Sequence, residues 1–275
     1  MQGTDALARA TIGLVAAAAL GGQPQAGGAD EARLREQLTA LSRRRVFFGH
    51  QSVGMGVLEG LRTLAVGAGA PLRIVQVAEG DRPAEGSLQH AFVAANGRPE
   101  QKLEAFARMF RGGPAQGADV AILKLCWADF DGATDAGALF SRYRATLAEL
   151  RRLSPRTTFV HVTVPLTTVQ AGPKALLKRL LGRSPYGVEE NARRDEYNAL
   201  LRAEYAGKEP VFDLAALEST GPDGRTVTYD SGGRRIPVLS EAWTDDGGHL
   251  NEAGRRRAAL ALVALLATLP EPAGR

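Results

Sequence analysis

The sequence is poor in cysteine and in aromatic residues. Cys126 is the single cysteine among 275 residues, and Phe, Tyr and Trp together make up 6% of the chain. One cysteine excludes an intrachain disulfide, so the folded state must depend on packing and hydrogen bonds. Because Cys126 stands inside an apolar run, we predict that it is a core residue.

Long apolar runs are also missing. The N-terminal run, residues 11–20, has about ten residues and is too short to cross a bilayer as a helix. Small residues follow it, in a pattern that resembles a weak secretory signal peptide. We therefore predict a signal peptide over residues 1–26, a single domain over 27–275, no stable membrane span, and a periplasmic or secreted location. A disordered tail is the alternative for the first segment.

No continuous basic stripe is present, although the net charge is +4 and the pI is 9.4. The basic residues, mostly Arg, are spread over helical patterns, which argues against a nucleic-acid partner. The densest basic stretch is "PKALLKRLLGR" at 173–183. It predicts a solvated amphipathic helix, and a role at a nucleic acid or a membrane surface is the alternative.

The sequence does contain a regular alternation of helical and extended patterns from about residue 30 onwards. The predicted strands are 46–49, 71–78, 118–127, 157–165 and 210–214, and the predicted helices are 31–44, 53–65, 99–112, 138–153, 189–205 and 251–269. Such alternation is typical of an α/β fold, here a three-layer α/β/α sandwich around a mainly parallel five-stranded sheet. We also expect an insertion at 166–188 and a turn-rich hairpin at 219–239.

The first predicted strand, "VFFG", runs directly into the polar residues His50, Gln51 and Ser52 before a helix begins. Ligands of open α/β sheets bind outside the carboxyl ends of the strands, so chemistry is expected at this cluster. A hydroxyl at such a turn is exposed, and the helix N-terminus offers backbone N–H groups to a developing oxyanion. Ser52 is therefore a candidate nucleophile, and N-cap of the following helix is its alternative role.

The stretch "TDDGGHLNEAG" at 244–254 can supply the base that a serine nucleophile requires. Asp246 and His249 stand three apart, and a tight Gly-Gly turn between them can return the carboxylate to the imidazole Nδ1. That contact fixes the tautomer and leaves Nε2 free as a general base. Asn251 can cap the closing helix. A hydrogen-bonded surface histidine is the alternative for His249.

Ser52 at the end of the first strand, together with "DGGHLNEAG" before the last helix, resembles the SGNH (GDSL-type) hydrolase superfamily. The resemblance covers nearly the whole chain and implies a flavodoxin-like sheet. It implies a catalytic triad of Ser52, His249 and Asp246. In "NGRP" it implies an oxyanion-hole glycine at Gly97, with Asn96 beside it, and the backbone N–H of Ser52 as the second donor.

Two blocks depart from the pattern of that superfamily and indicate a divergent branch. Gly-Asp-Ser reads "GHQS" here, within a "GHQSVG" signature, so that His50 and Gln51 precede the serine. Gly-x-Asn-Asp reads "CWAD", so that Ala128 stands where an asparagine would complete the oxyanion hole. Asp129 is kept, but a carboxylate repels an oxyanion unless it is protonated.

The sequence leaves open the roles of His50, Gln51 and Asp129, which are candidates for the oxyanion hole or for substrate binding. His50 can bind substrate, donate to the oxyanion in place of the absent asparagine, form a hydrogen bond behind the site, or be purely structural. Asp129 can take part directly or pair with His50 or Lys124. His161 alternates with valines in the fourth predicted strand, which indicates a core histidine.

No cofactor and no metal are predicted. His50, Asp129, Asp246 and His249 are the side chains that could gather a metal, but no short metal-ligand spacing connects them. The triad chemistry that the resemblance implies needs no cofactor.

The resemblance implies a serine esterase that removes short acyl groups, such as acetyl, from a carbohydrate or a similar ester. Its partner would then be a small-molecule or polysaccharide ester. Two alternatives belong to other classes of protein. One is an O-acyltransferase with the same triad, and the other is a non-catalytic carbohydrate-binding protein on a decayed hydrolase fold.

Overall fold

The computed structural model describes residues 28–84 and 86–271. The predicted signal peptide, residues 1–26, lies outside the described residues. Within them the chain forms a six-stranded sheet and a separate two-stranded sheet. The strands of the large sheet are β1 (Val46–His50), β2 (Arg73–Gln76), β3 (Ser87–Phe92), β4 (Val120–Leu123), β5 (Thr158–Val162) and β6 (Val211–Phe212).

The strands of the large sheet pair in parallel, in the order β2-β3-β1-β4-β5-β6. The predicted parallel α/β architecture is confirmed, but the predicted count of five strands is one too low. The additional strand, β3, lies between β1 and β2. It carries Ser87, Gln89 and His90, so it lacks the continuous apolar run that identifies a buried strand in a sequence. Part of its buried polarity is satisfied locally, since the Ala84 N–H donates to Gln89 Oε1 at 3.1 Å.

Helices cover both faces of the large sheet, as a three-layer sandwich requires. They are α1 (Gly28–Leu41), α2 (Ser52–Gly67), α3 (Pro99–Phe110), α4 (Ala136–Leu153), α5 (Pro173–Leu180), α6 (Val188–Tyr205), α7 (Leu214–Ser219) and α8 (Glu252–Ala267). One core lies beneath α1, α2 and α8, and the other beneath α3, α4 and α6. Successive strand residues face opposite cores, so Phe48 packs in the first and Phe47 in the second.

The smaller elements lie outside these two cores. Strands β7 (Thr228–Ser231) and β8 (Arg234–Pro237) pair antiparallel and form the predicted hairpin. Helix α5 lies in the predicted insertion, whereas α7 follows β6 without a sequence prediction. No helix in the described part of the chain has both the length and the apolar character needed to cross a membrane.

Cys126 and His161 are core residues, as predicted, and both are fully buried. The His161 ring stacks on Tyr205, with 3.6 Å between the ring centroids. The Tyr143 hydroxyl lies 2.7 Å from Nδ1, and Glu209 Oε2 lies 3.0 Å from Nε2. A carboxylate only accepts, so Nε2 carries the proton and Nδ1 accepts from the tyrosine. His161 thus uses both ring nitrogens inside the fold.

Candidate active site

Ser52 is the first residue of α2 and lies at the carboxyl edge of the sheet, directly after β1 and Gln51. The N-cap position belongs to Gln51, so the alternative that Ser52 is the N-cap is wrong. The Gln51 carbonyl accepts the N–H groups of Gly54 and Met55 at 2.8 and 3.3 Å. No acceptor in residues 28–84 or 86–271 contacts the N–H of Ser52, as expected in the first turn of a helix.

Ser52, His249 and Asp246 lie together although 197 residues separate the serine from the histidine. His249 Nε2 is 3.0 Å from Ser52 Oγ, and His249 Nδ1 is 2.7 Å from Asp246 Oδ2. Because the carboxylate accepts, Nδ1 carries the proton and Nε2 is free to accept from the serine hydroxyl. The three side chains therefore stand in the order hydroxyl, imidazole and carboxylate, which is the arrangement that activates a serine as a nucleophile.

The loop that carries Asp246 and His249 is fixed by its own backbone. Asp246 Oδ1 accepts the N–H groups of Gly248 and His249 at 2.9 and 2.7 Å. Partial burial raises the pKa of Asp246, but the hydrogen bonds from His249 and Gly248 outweigh it and hold the pKa well below its usual value. Gly247 has a φ of 85°, and a Cβ there would lie 2.6 Å from Thr168 Oγ1. The loop therefore holds its carboxylate ionised and needs glycine at its turn.

Two further contacts hold the same loop in place. The Trp127 ring meets the His249 ring edge-on, with 5.8 Å between centroids. A Cβ on Gly248 would lie 3.3 Å from that indole, so the loop packs closely on it. Asn251 caps α8, as predicted, with Oδ1 3.0 Å from the Gly254 N–H. These contacts limit the positions that the His249 ring can take.

His50 lies fully buried behind Ser52 and joins a series of hydrogen bonds. Its Nε2 is 3.0 Å from His90 Nδ1, and His90 Nε2 is 3.4 Å from Arg62 Nη2. Arg62 can only donate, so His90 donates from Nδ1 to His50. His50 in turn donates from Nδ1 to the Gln51 carbonyl at 2.9 Å. Of the roles considered for His50, a hydrogen bond behind the site and a purely structural role both fit these contacts, whereas substrate binding and oxyanion donation do not.

His50 and His90, the two histidines of this hydrogen-bonded series, are neutral near pH 7. Burial lowers the pKa of His50 to about 3, with further lowering from the neighbouring His90, Lys124 and Arg62. Burial and the charge of Arg62 lower the pKa of His90 to about 4. Neutral rings each keep one donor and one acceptor nitrogen, which is the state that the observed series requires.

The other residues of "GHQSVG" fit α2 against its surroundings. A Cβ on Gly54 would lie 2.4 Å from His50 Cβ, so only glycine lets the helix approach this closely. The Gln51 side chain donates through Nε2 to the carbonyls of Val93 and Ala94 in the loop after β3. Ala94 has a φ of 49°, which is unfavourable for a residue with a Cβ. Such strain is frequent where the surroundings fix a functional loop.

Asp129 pairs with Lys102, for which the sequence predicted no role. Lys102 Nζ lies 2.7 and 2.8 Å from the two carboxylate oxygens, and both side chains are fully buried. This contact replaces the predicted pair with His50 or Lys124 and removes Asp129 from direct participation. Asp129 Oδ1 also accepts the Gly97 N–H at 2.9 Å. The prediction that Gly97 is an oxyanion donor therefore fails, because its one N–H is already used.

Asn96 is exposed beside this buried pair. Its Oδ1 accepts a hydrogen bond from Lys102 Nζ at 2.9 Å, which fixes the amide plane. Its Nδ2 has no acceptor in the described residues and is an available donor. Lys102 itself had a sequence signal, since it stands one helical turn before Phe106 on the apolar side of α3. A lysine there is buried only when it is paired.

The structure does not gather the four side chains considered for a metal. His50 contacts His90, Asp129 contacts Lys102, and Asp246 contacts His249. No group of three or more His, Cys, Asp or Glu side chains in the described ranges is arranged to hold a metal ion.

Among known proteins, the matches to this chain are solved structures with a similar fold. No protein-family model and no curated protein matches the chain. A GDSL-like lipase from Bacteroides thetaiotaomicron is 14% identical, with a TM-score of 0.50 over 86% of this chain and 97% of that chain. Most of both chains takes part in this match, so the likeness is one of fold.

Two further solved structures are similar. A carbohydrate esterase family 3 from Talaromyces cellulolyticus is 14% identical, with a TM-score of 0.45 over 82% of this chain and 98% of that chain. The periplasmic domain of a lipopolysaccharide acetyltransferase from Salmonella ser. Paratyphi A is 13% identical, with a TM-score of 0.43 over 86% of this chain and 97% of that chain.

Proposed function

We propose that this chain, which has the fold of the SGNH (GDSL-type) hydrolases, is a serine hydrolase that cleaves carboxylic esters. The observation that carries the proposal is the unbroken series of contacts from Ser52 Oγ through His249 to Asp246, at 3.0 and 2.7 Å. A serine hydroxyl is a weak nucleophile without such a base. The same three residues also match the triad of the sequence resemblance.

The reaction follows from the positions of these atoms. Ser52 Oγ attacks the ester carbonyl carbon while His249 Nε2 takes the hydroxyl proton. Asp246 stays ionised, keeps its hydrogen bond to Nδ1 and stabilises the imidazolium that forms. His249 returns the proton to the leaving alcohol, and an acyl group remains on Ser52. Water then attacks the acyl carbon while His249 takes a proton from it. The bond between this carbon and Ser52 Oγ breaks, His249 returns the proton to Oγ, and the acid leaves with the serine restored.

The negative oxygen of the tetrahedral intermediate needs donors that no protein group already uses. We assign this role to the backbone N–H of Ser52 and to Nδ2 of Asn96. The helix dipole of α2 adds to the first donor. The second donor is a side-chain amide in place of the asparagine that Ala128 replaces, and Lys102 holds its plane.

The substrate class that we propose rests on the sequence resemblance. It is a short acyl ester, such as an O-acetyl group on a carbohydrate or polysaccharide. A periplasmic or secreted location fits such a substrate, and it depends on the predicted signal peptide over residues 1–26.

Replacement of the nucleophile tests the proposal. Ser52→Ala should abolish fluorophosphonate labelling and lower release of acetate from aryl acetates by about 10⁴-fold or more, because the attacking oxygen is lost. Ser141→Ala, on the exposed side of α4, is the matched control and should keep wild-type rates. Unchanged turnover in Ser52→Ala would remove this serine from its proposed role.

The same assay separates the alternative functions when a sugar acceptor is added. An acyltransferase would form acetyl-sugar in preference to acetate. A binding protein would bind carbohydrate saturably and release neither product. The esterase that we propose releases acetate with water as the acceptor.

A further inference from the structure

Helix α5 presents an unpacked apolar side to solvent. Leu176, Leu177, Leu180 and Leu181 are 59%, 58%, 76% and 65% exposed. They are four of the ten large apolar side chains that are exposed in the described part of the chain. An amphipathic helix of a globular protein normally turns its apolar side to the core. In α5 the core side instead holds Ala175, the one residue of the helix that is buried.

The four leucines share one side of the helix. Leu176 and Leu180 stand one turn apart along the helix, and so do Leu177 and Leu181. At 3.6 residues per turn these two pairs form neighbouring lines along the same side of the helix. Ala175 lies on the opposite side and is in contact with the protein. The leucines therefore project away from the protein body, where nothing in the described chain covers them.

The charged residues in the segment that carries these leucines are all basic. Residues 173–183 contain Lys174, Lys178, Arg179 and Arg183 and no Asp or Glu. Arg179 also bonds Tyr229 Oη at 3.2 Å, which ties the helix to the β7–β8 hairpin. An apolar stripe whose own segment carries only cations is complementary to an anionic lipid surface, where acyl chains contact the leucines and headgroups contact the cations.

The helix is attached close to the proposed catalytic loop. The Thr168 N–H donates to the Gly247 carbonyl at 2.9 Å, and Gly247 stands between Asp246 and His249. The Gln170 N–H donates to the Tyr186 carbonyl at 2.8 Å and closes the base of the insertion. Near its beginning, at Thr168, the insertion thus contacts the loop that carries Asp246 and His249.

We propose that the leucines of α5 and Leu181, with Lys174, Lys178 and Arg183, form a docking surface for an anionic lipid bilayer. We call it the α5 surface. The chain lies on the bilayer through it and does not span it. This proposal concerns where the protein binds, and it does not depend on whether Ser52 cleaves esters.

Sedimentation of the purified protein with lipid vesicles tests the α5 surface. Wild type should bind vesicles of phosphatidylglycerol and phosphatidylcholine in equal parts, and bind pure phosphatidylcholine much more weakly. Lys174→Gln with Arg183→Gln should weaken binding about 25-fold, since each basic residue at an anionic surface contributes about fivefold. Leu177→Gln with Leu180→Gln should weaken it by about tenfold or more, because less apolar area enters the membrane.

The matched control carries the same exchange at exposed leucines of other helices, Leu153→Gln with Leu200→Gln, and should bind as wild type does. Circular dichroism and thermal melting check that every variant is folded. We expect all of them to fold, because the substituted residues are exposed. Absence of wild-type binding, or equal binding by all variants, would overturn the proposal. Self-association that is lost in Leu177→Gln with Leu180→Gln, without lipid binding, would also overturn it and would assign the leucines to a second copy of the chain.

Discussion

Four residues of the "GHQSVG" stretch have separate physical tasks. His50 is buried and holds the Gln51 carbonyl, and Gln51 both caps α2 and holds the loop after β3. Ser52 faces His249. Gly54 leaves room for α2 against the His50 side chain. Ser52 thus owes its position to hydrogen bonds and packing of its neighbours in β1 and α2.

Replacement of Gly54 tests this positioning. In Gly54→Ala the new Cβ overlaps the first side-chain carbon of His50, which cannot swing aside as the end of a flexible side chain would. We expect the free energy of unfolding to fall by about 1–3 kcal/mol through overpacking. Ester hydrolysis should fall as well, because α2 and Ser52 shift together.

Gly67→Ala, at the other end of α2, is the matched control. No atom lies within 4 Å of a Cβ at Gly67, so the free energy of unfolding should stay the same or rise by up to about 1 kcal/mol. Urea denaturation measures both variants. Equal stability of the two would show that the approach of Gly54 to His50 is not tight.

At the scale of elements, the buried pair of Lys102 and Asp129 connects α3 to the turn after β4. Asp129 also accepts the N–H of Gly97 and the N–H of Cys126, the latter at 2.7 Å. One carboxylate therefore joins the loop before α3, the helix itself and the strand end. Asn96, our proposed oxyanion donor, depends on the same lysine.

Lys102→Met should be strongly destabilising, because it leaves a buried carboxylate without its cation. Loss of one partner of a buried pair costs about 3–5 kcal/mol, and we expect the free energy of unfolding to fall by that amount. Arg108→Met, which breaks the half-exposed pair with Glu79, should change it by less than about 1 kcal/mol. A loss in Lys102→Met as small as in Arg108→Met would contradict the account.

The pairing of β1 with β3 predicts an acid-sensitive fold. His50 and His90 have pKa values of about 3 and about 4 when folded, below the usual 6.5, so the unfolded chain binds protons first. The free energy of unfolding therefore decreases as the pH falls from about 6.5 to about 3, with the share of His90 lost by about pH 4. Burial raises the pKa of Glu218 to about 8, which acts in the opposite sense as the pH rises from 4.5 to about 8.

His90→Gln isolates the histidine contribution, since Gln can still donate to His50. The free energy of unfolding is measured against pH for wild type and for the variant, and one curve is subtracted from the other. Glu218 contributes equally to both curves, so its contribution cancels in the difference. We expect that difference to change with pH only between about 4 and 6.5, by at most about 1.4 kcal/mol per pH unit. Parallel curves over this range would refute the buried histidine pair.

For the whole molecule, the alternating pattern of helices and strands was sufficient to predict the layers, because each layer repeats a simple periodicity. Strand β3 and helix α7 were missed, since β3 carries polar residues and α7 has only six residues. The missing strand also hid His90, so the partner of His50 was not predictable. The pairing of Asp129 with Lys102 depends on distances in the folded protein, and these distances cannot be derived from the spacing of the two residues in the sequence.

The meeting of Ser52 with His249 was predictable for a different reason. Parallel strands bring their carboxyl ends to one edge of the sheet, and loops at that edge lie close together however distant they are in sequence. In the basic stretch of α5, the sequence predicted an amphipathic helix in water. The sequence pattern identified the leucines as one side of that helix, but it could not show that this side has no partner.

The most direct test of the central claim is the rate at which a fluorophosphonate modifies wild type and His249→Ala, with the adduct located by peptide mass spectrometry. Our account predicts one adduct, at Ser52, and labelling at least about a thousandfold slower in folded His249→Ala, because the serine then lacks its base. An adduct at a different residue, or equal labelling rates in the two proteins, would contradict the account.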